Sequence, residues 1–415
     1  MITPSQLVDV LLVPVFALVF VTWAGASLCL LVAGIRGGQR GLALGRARRA
    51  LAAIADDDDT NLRTAVVSLM ATQPDEVVLP LAATSTHRPA VDRVVAEAAV
   101  ARLGRVSLET LVAGPHPAKQ NWRRIAAMRV LAAGAPQSPL VGLLRHALGD
   151  DPEIVGASLA VLGRLPDPAA AVALVDALKQ RKYAPSRIAT YLDQFPLPIS
   201  ELLQPLLHHP DPEVRYWGAT LVTRHPGPGA VDDLVQLTRD TSPLVRKAAV
   251  ASLGEIAPAA TAEAARPLLA DPVWYVRAHA ARALAAAGVT DSAGEIAPLL
   301  ADREWWVRLA ARESLQQLGE EVWSVLVPYL DHTDAFARNG AAEVLQNIGV
   351  LDSLIVLEAA TSRPSPSKLE MLRKIAAAGG TRMTEALLER VEADARPRVR
   401  SLLASLGLEP TEVRS

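Results

Sequence analysis

The sequence is poor in the residues that staple, chelate or stack. Cys29 is the one cysteine in 415 residues, which excludes an intramolecular disulfide and a cysteine-based zinc site. Aromatic side chains are few: seven Trp, five Tyr and four Phe. Strands favour β-branched and aromatic residues, so this composition argues against a β-sandwich. The Leu, Ala and Val that make up most of the 50% apolar content suit helices packed closely through small side chains. Lysine is scarce as well, six against 36 arginines, a bias that reads as genomic base composition. Neither sign of charge dominates. A formal charge of −2 argues against a general nucleic-acid-coating role, which needs clustered Lys and Arg. High apolar content with 21% charged residues excludes wholesale disorder.

Signatures of chemistry are missing too. There is no glycine-rich phosphate loop, no Gly-x-Ser-x-Gly elbow and no His-Glu-x-x-His. None of the eight His is followed by Glu, so repeated His-Glu pairs able to hold two iron ions are absent. His208, His209 and His225 form the one local cluster, and adjacent helical residues point about 100° apart, which suits chelation badly. The expectation is no catalytic residue, no metal and no cofactor.

One long apolar run is present. Residues 10–35 carry no formal charge; as a helix they cover about 39 Å, enough to cross a ~30 Å hydrocarbon layer with tilt. A cleaved signal peptide would need a basic start and a shorter run. Arg36, Arg40, Arg46, Arg48 and Arg49 follow with no acidic residue among them. The positive-inside rule then places everything after the span in the cytoplasm, with residues 1–9 outside, and the five arginines can hold anionic lipid headgroups.

The remainder is one pattern repeated. Arg215, Arg246, Arg277, Arg308 and Arg338 open five successive helices at intervals of 31, 31, 31 and 30. Spaced leucines precede them (Leu202, Leu203, Leu206 and Leu207, or Leu299 and Leu300), and a break of Asp, Pro or Ser caps the next helix. Val276, Ala280, Ala281 and Leu284 set an apolar stripe of helical period. Gly254, Gly288, Gly319 and Gly349 fall where that helix should stop. A single helix pair cannot bury its own stripe, so stability must come from stacking on neighbours.

This order of leucine pair, Asp, Val-Arg, Ala-Ala and Leu-Gly resembles the HEAT repeats, specifically the short variety of the phycobilin lyases. The likeness is strongest from Asp211 to Gly349. It implies an all-α fold, an α-solenoid wound as a right-handed superhelix; the 31-residue period gives about 11–12 hairpins, and the apolar run places one transmembrane helix before them. The expected segments are therefore 1–9 outside, 10–35 spanning, 36–50 basic and juxtamembrane, 51–408 solenoid and 409–415 tail. The resemblance also implies a hydrogen-bonded ladder between the Asp and Arg of successive units, here Asp240, Asp271 and Asp302 with Arg246, Arg277 and Arg308; in one unit His209 replaces the Asp.

One feature stands out from the repeat. Trp274 and Trp305 occupy one place in consecutive units; Tyr275, Trp306 and Phe336 occupy the next place in three. They either seal the packing between repeats or form an exposed ridge that binds a protein. The functional expectation is a membrane-anchored scaffold at the cytoplasmic surface of the inner membrane. Its partner would be an integral membrane protein such as a transporter or a glycosyltransferase, with membrane lipid a second contact. Neither nucleic acid nor a small-molecule substrate is expected. The rival is a lyase-like enzyme acting on a prosthetic group or protein.

Overall fold

Successive repeats break at the same proline. Residues 266–270, 297–301 and 327–331 read Arg-Pro-Leu-Leu-Ala, Ala-Pro-Leu-Leu-Ala and Val-Pro-Tyr-Leu-Asp, and each is a 3-10 turn. Proline offers no N–H to the carbonyl four residues back and its ring crowds that carbonyl. The first helix of the pair therefore tightens into a 3-10 turn and ends.

The second helix of each pair then starts after an acid-capped loop. Five of these helices are α1 (Pro212–Val222), α2 (Pro243–Ile256), α3 (Trp274–Ala286), α4 (Trp305–Leu318) and α5 (Ala335–Asn347). Before α2, α3 and α4, an Asp Oδ1 accepts the backbone N–H two residues on: Asp240 from Ser242, Asp271 from Val273 and Asp302 from Glu304, at 2.8, 2.8 and 2.9 Å. The side chain satisfies a donor that the helix start would otherwise leave unpaired.

The computed structural model describes Gly34 and residues 37–54, 59–84, 88–114, 121–134, 138–149, 151–181, 183–361, 365–379, 388 and 391–408. Among these, every regular element is an α-helix or a 3-10 turn. Two compact units divide the chain, Met1–Ala177 with Gln194–Leu197, and Leu178–Asp193 with Pro198–Ser415.

In the second unit each of α1 to α5 packs against the next. The stripe Val276, Ala280, Ala281 and Leu284 is fully buried, each large aliphatic contributing about 1.5–3 kcal/mol of transfer free energy. In the first unit, helices Asp59–Thr72, Pro89–Leu103, Asn121–Gly134 and Pro152–Leu162 stack in the same manner. Arg124 is buried there, its Nε and Nη2 donating to the Val112 carbonyl.

One expectation changes. Gly254 does not cap a helix; it lies inside α2, where a Cβ would meet Ala283 Cα of α3 at 2.9 Å. Its role is close approach between repeats. Gly288, Gly319 and Gly349 do follow their helices, with φ of 67°, 83° and 83°. Residues 37–52 are helical and bury Ala47 and Leu51, so the basic segment is partly structural. Among the described residues no single helix is long and apolar enough to cross a membrane. The run at 10–35 lies, Gly34 apart, outside the described residues, as does Arg36.

Candidate protein-interaction surface

A ladder of charge joins the loops that precede the second helices. Arg215 reaches Asp240 through Nε and Nη2 at 2.8 and 3.0 Å. Arg246 holds Asp271 at 2.8 and 3.0 Å, and Arg277 holds Asp302 at 2.8 and 2.9 Å. Each is a two-pronged guanidinium–carboxylate pair, the geometry in which Arg binds carboxylate best. The remaining Nη1 donates to the main-chain carbonyl six residues earlier: His209, Asp240, Asp271, Asp302 and His332 for Arg215, Arg246, Arg277, Arg308 and Arg338. Arg215, Arg246 and Arg277 thus each tie their own loop to the loop of the next repeat.

Each carboxylate is held by the Arg of the preceding repeat. The Asp240 carboxylate goes to Arg215 and the Asp302 carboxylate to Arg277, whereas Arg246 and Arg308 take only the main-chain carbonyls of those residues. The side-chain partner lies 25 residues on, in the next repeat. Burial pushes the Asp240 and Asp302 carboxyls up, but the Arg fork and the backbone N–H outweigh it and hold both below the usual carboxylate range.

The ladder ends in histidine at both extremes. His209 Nδ1 accepts the Asp211 N–H and His332 Nδ1 accepts the Asp334 N–H, at 3.1 and 3.0 Å. Each imidazole does the local capping of a rung Asp. Arg308 finds no carboxylate in the following loop; its Cζ lies over the Phe336 ring, 4.2 Å from the centroid.

The five aromatics are not equivalent. Trp274, Trp305, Trp306 and Phe336 are 38, 49, 54 and 61% exposed, whereas Tyr275 is half-buried against the core. Trp274 stands edge-on to Tyr275, and Trp305 edge-on to Trp306, with ring centroids 5.5 and 4.6 Å apart. Neighbours on a helix diverge by about 100°, so one ring of a pair can turn inward while the other faces water. Trp323, 49% exposed, adds an aromatic that the repeat pattern does not single out.

Between α4 and α5 lies a groove of about 150 Å³, walled by Trp305 and Phe336, with Arg308, Arg312, Asn339 and Glu343 on its polar side. Gly340 keeps it open, since a Cβ there would sit 3.1 Å from Leu300 Cδ2. Arg312 pairs with Glu343 through Nη1, and its Nε is buried with no hydrogen-bond partner. The first unit holds a larger concavity of about 470 Å³, floored by Ala132, Ala133, Ala157 and Ala160 and flanked by Arg129 and Arg164. Sequence reasoning missed both; the second is lined largely by alanines, which read as ordinary helix packing.

The other singled-out residues are placed as follows. Arg46, Arg48 and Arg49 are exposed and Arg40 pairs with Glu76. His208 approaches Asp233 at 3.2 Å and His225 Nε2 lies 2.9 Å from the Leu192 carbonyl, so the three clustered histidines face different partners. Among the described residues no three or more His, Cys, Asp or Glu come together as a metal centre.

His279, on α3, contributes a pH dependence. Burial holds its imidazole below the usual value, with Lys247 and Arg282 adding repulsion and the Tyr275 carbonyl, 2.7 Å from Nδ1, opposing them. Below about pH 6.5 the unfolded chain binds a proton that the folded chain resists, so stability should fall as pH drops through that value and recover above it. Thermal melts from pH 7.5 down to 5 should show this slope, and His279→Gln should flatten it. An unchanged slope in the variant would assign the effect to other groups.

Residues 199–285 and 262–346 match the HEAT repeats family. No curated protein matches the chain. Among solved structures, an engineered protein is 20% identical with a TM-score of 0.38, covering 87% of this chain and 98% of its own. The karyopherin Kap121p is 13% identical with a TM-score of 0.45, covering 90% of this chain, which spans only 50% of the karyopherin. Human deoxyhypusine hydroxylase in complex with glycerol is 18% identical with a TM-score of 0.26, over 60% of this chain and 98% of its own. Likenesses at these identities and scores bear on neither activity nor partners. The stacked helix pairs, the recurring Arg and the family match agree on one conclusion: residues 199–346 are HEAT repeats.

Proposed function

We propose that this chain is a membrane-tethered HEAT-repeat scaffold that binds a protein partner and performs no chemistry of its own. The observation that carries the reading is the set of exposed rings Trp274, Trp305, Trp306 and Phe336 at the starts of three consecutive helices, α3, α4 and α5. Large rings left in water at regular spacing are the residue type and arrangement of binding hot spots. The uncharged run at 10–35 and the arginines after it support a single span, with the N-terminus outside and the repeats in the cytoplasm. Tethering confines the repeat surface beside the inner membrane and raises its effective concentration toward other membrane proteins. The partner class is then a subunit of an integral membrane complex, such as a transporter or a glycosyltransferase.

One experiment tests both halves. The full chain should stay with membranes through an alkaline wash, and a chain starting at residue 37 should not. From detergent-solubilised membranes the full chain should retain a partner that the Trp274→Ser, Trp306→Ser double variant loses, with the helical melt unchanged. Release of the full chain by alkali removes the tether. A partner held equally by the double variant removes the aromatic surface.

A further inference from the structure

The ladder runs out of carboxylates at one repeat, and the gap opens onto a groove. Arg215, Arg246 and Arg277 each place Nε and Nη2 on the Asp of the following loop. Arg308 has the same local setting, its Nη1 on the Asp302 and Arg303 carbonyls. The following loop offers His332 in the place of the Asp, and its Nδ1 is occupied by the Asp334 N–H. The edge of the Arg308 guanidinium that grips a carboxylate elsewhere therefore grips none here.

The surroundings of that edge select for an occupant. Trp305 and Phe336 wall the groove and are about half exposed or more. Phe336 lies under the Arg308 Cζ, a contact that engages the face of a guanidinium and leaves its edge donors available. Arg312 lies beside it with a buried Nε that has no acceptor. Two arginines face one carboxylate, Glu343, which is already paired with Arg312. The groove is thus short of one negative charge and rich in apolar wall.

We propose that the groove between α4 and α5 binds an acidic, extended segment of a partner protein, an Asp or Glu side chain of which supplies the missing carboxylate to Arg308 while a neighbouring apolar residue packs between Trp305 and Phe336. The carboxylate completes the fourth rung in trans. The inference deepens the scaffold reading and rests on it. Charge-assisted two-pronged bonds are among the strongest neutral-pH contacts available at a surface, and aromatic walls exclude the water that would weaken them.

The test uses the full chain in mild detergent and a fluorescein-labelled peptide of alternating glutamate and leucine, beside its glutamine counterpart. Fluorescence anisotropy should show the glutamate peptide binding at least about tenfold more tightly, the loss expected when a charged hydrogen-bond partner is removed. His332→Asp should place an internal carboxylate on Arg308, raise the melting temperature and weaken the glutamate peptide by about tenfold or more. Arg308→Lys keeps the charge but not the fork, and should weaken the peptide similarly. Equal affinity for the two peptides, or undiminished affinity in Arg308→Lys, overturns the proposal, as does His332→Asp that melts higher yet still binds. If His332→Asp melts no higher, Arg308→Lys alone decides. Should the peptide fail while the partner is still captured in a Trp274- and Trp306-dependent manner, the scaffold reading stands and the acidic occupant falls.

Discussion

Arg277→Ala should destabilise the folded chain by about 3 kcal/mol, because it leaves a nearly buried carboxylate without its cation. Asp302 would keep only the Glu304 N–H, and the Asp271 carbonyl would lose its donor. The side chains of the pair are 9 and 11% exposed, so water cannot replace the guanidinium cheaply. Urea titration followed by circular dichroism measures the loss. Arg282→Ala provides the contrast: its pair with Glu313 is 42 and 50% exposed, and exposed pairs of this kind contribute little. The Arg277→Ala, Asp302→Ala double variant should lose less than the two single losses added together, since the second truncation removes the stranded charge. A wild-type urea midpoint for Arg277→Ala would sink the ladder as a source of stability.

Gly254→Val should cost about as much, roughly 3 kcal/mol, by overpacking. The Cβ alone would meet Ala283 Cα at 2.9 Å, Cβ at 3.0 Å and the carbonyl oxygen at 3.2 Å. Two of those three atoms are backbone, which cannot rotate away, so α2 and α3 would have to part. Helix propensity favours the substitution by less than about 1 kcal/mol, and the clash outweighs it. Gly288→Ala tests the other use of glycine. Nothing lies within 4 Å of its Cβ position, but φ is 67°, so the cost should be the backbone term alone, about 1–2 kcal/mol. A Gly254→Val variant as stable as Gly288→Ala would mean the repeats are spaced more loosely than the structure places them.

The repeat was legible in the sequence because its physical demands recur every 31 residues or so. Val276, Ala280, Ala281 and Leu284 had to face a neighbour, and they do. The resemblance joined the Asp and Arg of successive units, but which Asp meets which Arg was not legible. Asp271 and Arg277 stand six residues apart, and sequence distance cannot distinguish a side-chain bond from one to the main-chain carbonyl of the same residue. Only the stacking register, which brings Asp302 to Arg277, decides it. Ring exposure was hidden for a related reason: Trp274 and Tyr275 are adjacent, the pattern marks both, and helix rotation sends one outward. Gly254 misled because a glycine near the end of a helix reads the same whether it turns the chain or lets another helix come close.

The place where the ladder stops has a mechanical meaning as well. From Arg215 to Asp302 each loop is pinned to the next by a two-pronged pair, so bending or twisting that stretch must lengthen short, directional bonds. Between α4 and α5 the corresponding link is a cation resting on the ring of Phe336, which can slide by an ångström at little cost. The stretch from Arg215 to Asp302 therefore behaves as a stiff rod and the α4–α5 junction as a compliant joint. A carboxylate gripped there by Arg308 would act as a splint, turning occupancy of one small groove into the stiffness of a longer lever.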